Sequence, residues 1–231
     1  LGKGLALSIA TRLATALLAL SLAGACGNDK SGPNPVAAAL GSMAKASVAK
    51  VKAKKSGDTP AADRVTRADL EKYGTPILRF VAKPLDQDGF LTISDQKGDV
   101  VTWSTSNGVT FSLRNGVLIQ TRGLGPDLMS AQVPTVAQLS TPGGTYQRIY
   151  FFLGADDRPT RRTLDCTTTV VGRKTITVFG RSHEVTQISE VCTRSTSQIT
   201  NDYWIEGGSI RKSRQWTSGS IGHIDFVRVI D

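Results

Sequence analysis

Asn115-Gly116 lies between two short arms, Val109-Thr-Phe-Ser-Leu113 and Val117-Leu-Ile-Gln-Thr121. An Asn-Gly pair accepts positive φ at both positions at little cost, which is the backbone of the tight turn joining two antiparallel strands. The first arm has the period of a strand. Val109, Phe111 and Leu113 share one face and Thr110 and Ser112 the other. The same period recurs in short runs along the rest of the chain, predicting strands at 77–82, 90–94, 100–105, 109–114, 117–121, 146–153, 163–171, 174–179, 183–194, 202–206, 209–216 and 223–230. Glycine-rich or acidic turns separate them, among them Gln87-Asp88-Gly89, Asp95–Gly98, Ala155–Pro159, Gly207-Gly208 and Ser218–Gly222. Residues 127–131 read as a helical turn, and 132–145 as a looser stretch with Pro134 and Pro142. Strands at even spacing without intervening helices predict an all-β fold, an antiparallel meander forming a barrel or sandwich.

The other end of the chain is different in kind. Lys3 and Arg12 precede Leu13-Ala-Thr-Ala-Leu-Leu-Ala-Leu-Ser-Leu22, and the small residues Ala23-Gly24-Ala25 lead to Cys26. A basic start, an apolar run and small residues are the parts of a secretory signal. This ten-residue, mainly apolar run rises about 15 Å as a helix, half of a hydrocarbon core, too little to span it. A cysteine directly after Leu-Ala-Gly-Ala resembles the bacterial lipoprotein lipobox. That resemblance implies a signal peptide over 1–25 and acylation of Cys26. Gly27, where lipoproteins kept at the inner membrane often carry Asp, implies the outer membrane with the chain facing the periplasm. With Cys26 acylated, Cys166 and Cys192 remain as an even pair. In an oxidising compartment they are expected to be bridged, with two buried free thiols as the alternative. Residues 26–65 read as a tether rich in Ala and Lys, and 66–231 as one β-rich domain opened by a short helix capped by Thr66 and Asp69.

The net charge of +9 would ordinarily point to nucleic acid. Its distribution argues otherwise. From Ala68 onward there are 18 basic and 16 acidic residues, and the excess sits in the signal and around Lys45, Lys50, Lys52, Lys54 and Lys55. Such a run is a solvated linker or rests on an anionic surface. Nucleic acid is not expected as a partner.

Catalytic patterns are missing from the sequence: no GxSxG, Walker loop, HExxH or GxGxxG. His183 and Glu184 fall on opposite faces of a strand and do not converge, Glu190 notwithstanding. The two cysteines have no histidine or third cysteine at ligand spacing, so no metal and no cofactor is expected. The acids offer no evident pair for glycoside hydrolysis. Aromatic and basic residues remain. Trp204 and Trp216 lie in strands beside Arg211, Lys212 and Arg214, a combination that serves saccharide or partner contact or else fills a core.

Three stretches taken together carry a resemblance. They are Trp103 with Asn107-Gly-Val-Thr-Phe-Ser-Leu-Arg-Asn-Gly-Val-Leu-Ile-Gln-Thr-Arg-Gly-Leu-Gly-Pro-Asp-Leu128, then Cys166 with Glu190-Val-Cys192, and Asn201-Asp-Tyr-Trp204 with Ile210-Arg-Lys-Ser-Arg-Gln-Trp216. The chain resembles the YjbF/GfcB-type lipoproteins of group 4 capsule and exopolysaccharide production, from about Leu70 to its end. The resemblance implies an outer-membrane lipoprotein, non-enzymatic and accessory to capsule or exopolysaccharide export or surface assembly. Its implied partners are an outer-membrane β-barrel or other secretion components. A module holding the nascent polysaccharide is the alternative. The residues expected at a partner or glycan contact are Arg122, Trp204, Arg214, Gln215 and Trp216. No catalytic residue is implied.

Overall fold

The computed structural model describes residues 65–153 and 158–231. The expected signal, Cys26 and nearly all of the tether lie outside the described residues, as does most of the turn expected at 155–159. Helix α1 (Arg67–Glu71) comes first, closed at its N-terminus by a reciprocal cap: Thr66 accepts from Asp69 N at 3.2 Å and donates from its own N to Asp69 at 3.3 Å. Lys72 and the bonds from Thr66 hold the Asp69 carboxyl down at about 2. Then follow β1 (Ile77–Ala82), a 3-10 turn (Lys83–Leu85), β2 (Gln87–Lys97), β3 (Val100–Ser104), β4 (Thr110–Arg114), β5 (Val117–Arg122), β6 (Leu128–Gln132) and the short helix α2 (Val136–Leu139). The remainder is β7 (Thr145–Leu153), β8 (Pro159–Val178), β9 (Arg181–Arg194), β10 (Ser197–Glu206), β11 (Ser209–Ser218) and β12 (Gly222–Ile230).

All twelve strands form one antiparallel sheet in the order β5-β4-β3-β2-β1-β12-β11-β10-β9-β8-β7-β6. Chain neighbours pair throughout except at β5 and β6. The first and last strands also pair, so the meander curls into a nearly closed barrel with its seam between β5 and β6. Side chains bridge that seam. Gln120 Nε2 donates to Met129 O at 3.0 Å, and Leu128 N donates to Thr121 Oγ1 at 3.0 Å. Within the barrel the Gln215 amide of β11 serves β5 as a further stitch. Its Oε1 accepts from Leu118 N at 2.8 Å and its Nε2 donates to Gly116 O at 2.9 Å. A backbone donor and acceptor are thereby satisfied without a neighbouring strand.

Several boundaries differ from those expected, among them the turn at Asp95–Gly98, whose first three residues belong to β2, and the start of β10, which is at Ser197. Gln87-Asp88-Gly89 is strand, and the turn lies upstream, where Pro84 starts the 3-10 segment and Asp86 takes φ 51°. Gly89 serves packing instead: a Cβ there would sit 3.2 Å from the Phe80 ring. Residues 127–131 are not a helical turn, because Leu128–Gln132 is held extended by pairing with β7. The expected loose stretch contains α2, capped by Thr135 and Gln138. The two runs expected at 163–171 and 174–179 are one strand, β8, carrying a bulge between Val170 and Gly172.

The interior has two apolar regions. Leu78, Phe80, Leu91, Phe111, Ile224 and Phe226 centre one, with Phe111 ringed by Phe80 at 5.1 Å and Phe226 at 5.3 Å. Val117, Leu139, Ile188, Tyr203 and Ile210 form the other, beneath α2. A third cluster lies outside the barrel. At the β8 bulge the buried face of the β8–β9 hairpin changes: in β9 it runs through Ile188, Glu190 and Cys192, but through His183 and Val185 beyond it. This distal arm folds over the outer surface. Val178 and Phe179 pack with Leu70, Ile77, Phe90 and Val229, the Phe179 ring lying 5.8 Å from Phe90. His183 Nδ1 meets Glu206 at 2.9 Å, and Glu206 also accepts from Arg211 Nε at 3.0 Å.

Candidate functional site

The inner face of β7 reads Tyr146, Arg148, Tyr150, Phe152. Arg148 is buried in the barrel wall, and its Nε donates across β8 to Glu190 Oε1 of β9 at 2.7 Å. Four donors share the Glu190 carboxylate. Tyr146 and Arg148 occupy Oε1, while Asn201 Nδ2 at 2.7 Å and Tyr203 OH at 3.3 Å occupy Oε2. Arg148 Nη2 also donates to Tyr203 OH at 2.6 Å, and Asn201 Oδ1 accepts from Trp216 N at 2.6 Å. Cys166 and Cys192 face each other across β8 and β9 and are bonded, as expected for the pair, with Cα atoms 4.0 Å apart. Their sulfurs lie within 4.8 Å of Glu190, but sulfurs spent on each other are not metal ligands.

Sequence reasoning singled out Glu190 but missed Arg148. The available signal was an acid between Ile188 and Cys192 on an otherwise apolar face, since a buried carboxylate needs a cation or several donors. Every lone pair of Glu190 is engaged, and none of these groups lines the end clefts described below. The network therefore builds the wall. Burial pushes the Tyr146, Tyr150 and Tyr203 phenols up; the Glu190 charge adds to this, and the Arg148 charge opposes it. A raised phenol pKa gives stability that is complete below the ordinary value near 10 and is lost as pH rises beyond it. In an alkaline titration, these three of the chain's four tyrosines are expected to show phenolate absorbance only as the fold is lost.

The five residues expected at a contact do not converge. Gln215 is interior, as described. Arg214 is exposed on β11 between Asp202 and Asp225 of the adjoining strands. Trp204 is half-buried on the outer face with Lys212 Nζ 4.7 Å above its ring. Arg122 lines a cleft at one end of the barrel, and Trp216 reaches that end only through its contact with Phe152. The cleft, of about 430 Å³, opens between the β5–β6 loop, the end of β7 and the β11–β12 turn. Arg162 lies over Phe152 at 5.3 Å, and Phe152 stands edge-on to Trp216 at 6.0 Å. Asp127 lines the cleft too, but its carboxylate is spent on Thr121 Oγ1, Gly123 N and Leu124 N. Arg122 and Arg162 thus have no carboxylate partner among the described residues. Leu153 beside them is 52% exposed.

Among the described residues the barrel thus combines a sealed ionic interior with open clefts at its ends. Comparison with known proteins makes this more specific. The family model for YjbF, described as group 4 capsule polysaccharide lipoprotein gfcB, matches residues 44–229. The chain belongs to that family. The family description is of a capsule-associated lipoprotein and names no catalytic activity. The crystal structure of the hypothetical lipoprotein YmcC from Escherichia coli (K12) has the same fold, with a TM-score of 0.63 over 74% of this chain and 91% of that one, at 20% identity. The curated proteins give no match. Among the described residues no helix is long and apolar enough to cross a membrane.

Proposed function

We propose that this chain is a non-enzymatic accessory factor in capsule or exopolysaccharide export or surface assembly. It is held at the outer membrane by an acylated Cys26 and faces the periplasm. The observation that carries this reading is the family match over residues 44–229. The cysteine after the signal-like run supports the anchor, and the nearly neutral body with open end clefts supports a scaffolding role. The partners are an outer-membrane β-barrel or other secretion components. Deleting the gene is expected to reduce surface polysaccharide, with wild type restoring it and Cys26→Ser failing to do so. Unchanged surface polysaccharide in the deletion strain, in a background where loss of other secretion components abolishes it, overturns the proposal.

The cleft at Arg122 favours a second reading, a module that holds the polymer. Arg122 and Arg162, without a carboxylate partner among the described residues, line the cleft with Phe152 and suit an acidic saccharide. Calorimetric titration with the native polymer separates the two readings. Binding abolished by Arg122→Glu with Arg162→Glu supports the module, and no heat with the wild type excludes it.

A further inference from the structure

We infer that the opposite end of the barrel is a binding site for an amphiphile, whose aliphatic chain enters between the strands while its anionic head meets Arg228. A cavity of about 500 Å³ opens there among the β2–β3, β4–β5 and β10–β11 turns and α2. That volume falls in the range of small-molecule sites, and barrel mouths are among their common locations. Wall and lip differ in chemistry. Leu78, Val101, Trp103, Leu113 and Ile210 make the wall, four of them buried. Gln96, Asp99 and Asn115, all exposed, stand at the lip with Arg228. Apolar depth under a polar lip fits a molecule with one apolar and one polar end.

The alternatives fit less well. A sugar stacks on an open aromatic face, but Trp103 is only 4% exposed. Sugar hydroxyls against the aliphatic wall would lose their hydrogen bonds to water without replacement. An aliphatic chain loses nothing there and removes the wall from water.

Arg228 sets the sign of the head group. Its Nε is buried without a hydrogen bond among the described residues. Its nearest carboxylate oxygen, Asp231 Oδ1, is 3.4 Å away and already accepts from Arg211 Nη1 at 2.8 Å. Asp99, the acid at the lip, stands 3.4 Å from Arg114. An anion at the lip therefore gains an under-used guanidinium.

The inference goes beyond the capsule role and stands without it, because its test measures binding and not surface polysaccharide. The full chain carrying Cys26→Ser, so that no attached lipid competes, is titrated with cis-parinaric acid and with its uncharged methyl ester. Fluorescence transfer from tryptophan is the readout. The acid is expected to bind saturably at one site per chain. Ala137→Trp, which fills the mouth from the exposed side of α2, is expected to weaken both probes at least about tenfold. Arg228→Gln is expected to weaken the acid about tenfold and leave the ester unchanged. Arg173→Glu, exposed on β8 away from both clefts, leaves both unchanged. Thermal unfolding checks that each variant is folded, and Val101→Phe fills the same space from the facing wall should Ala137→Trp not fold. Absence of saturable binding, or wild-type affinity in a folded mouth-filling variant, overturns the site. Equal losses for acid and ester in Arg228→Gln overturn the assignment of the head group.

Discussion

Replacing Arg148 by Ala is expected to lower the stability of the fold by about 3–5 kcal/mol, measured by urea unfolding. The substitution leaves the Glu190 carboxylate buried in the barrel wall with three neutral donors and no cation. A domain of ordinary stability has only about 5–15 kcal/mol in all, so a large fraction is at stake. The paired replacement is the informative control. Exchanging a buried ion pair for apolar residues is often neutral, because both desolvation costs vanish together. Here it should not be. Arg148→Met with Glu190→Leu strands the Tyr146 and Tyr203 hydroxyls and the Asn201 amide, each at about 1–3 kcal/mol unless water reaches it. The double variant is therefore expected to remain well below wild type. Recovery to wild-type stability would show that the pair is dispensable and the hydroxyls self-sufficient.

Removing the Cys166–Cys192 bond is the second large effect, about 2–5 kcal/mol for a native disulfide. The bond joins residues 26 apart in sequence, and closing a loop of that length accounts for about 3.5 kcal/mol in the chain-entropy model. Cys166→Ala with Cys192→Ala should lower the unfolding free energy by that amount and the urea midpoint by that amount divided by m. Reductant should shift wild type to the same point and leave the variant where it is. A reductant effect on the variant would place the sensitivity elsewhere. The sulfurs adjoin the Glu190 carboxylate, so this change and the loss of Arg148 are not expected to add.

The legible part of the fold was the part written in local chemistry. Asn115 and Gly116 have φ values of 47° and 87°, the turn their residue types require. Thr66 and Asp69 form the cap that their spacing announces. The edges of β1 could be read directly, since polar and turn residues bound a run with strand period. What was not legible depends on distant pairing. Leu128–Gln132 has no strand pattern of its own and is extended because β7 lies beside it. Glu190 was weighed only beside His183 and Glu184, and its cation is 42 residues away, on a strand separated from β9 by β8. Gln215 read as a surface contact from its arginine and tryptophan neighbours, whereas alternation along β11 turns it inward to β5. The wall of the amphiphile cavity comes from four different strands, so only the closed sheet brings it together.

The β8 bulge has a consequence for how this chain can vary. It shifts the phase of one strand by a single residue, so that the proximal half of the β8–β9 hairpin turns its apolar side into the barrel and the distal half turns it onto the barrel's outer surface. A strand has only two phases. Losing or gaining one residue there would send Ile176 and Val178 toward solvent and turn the polar Thr175 and Thr177 toward Phe90 and Val229. Loops at the barrel ends can change length by any number of residues, but the arm can grow or shrink only in steps that preserve parity. Gly172 thus works as a punctuation mark, separating two messages written along one strand and read from opposite sides.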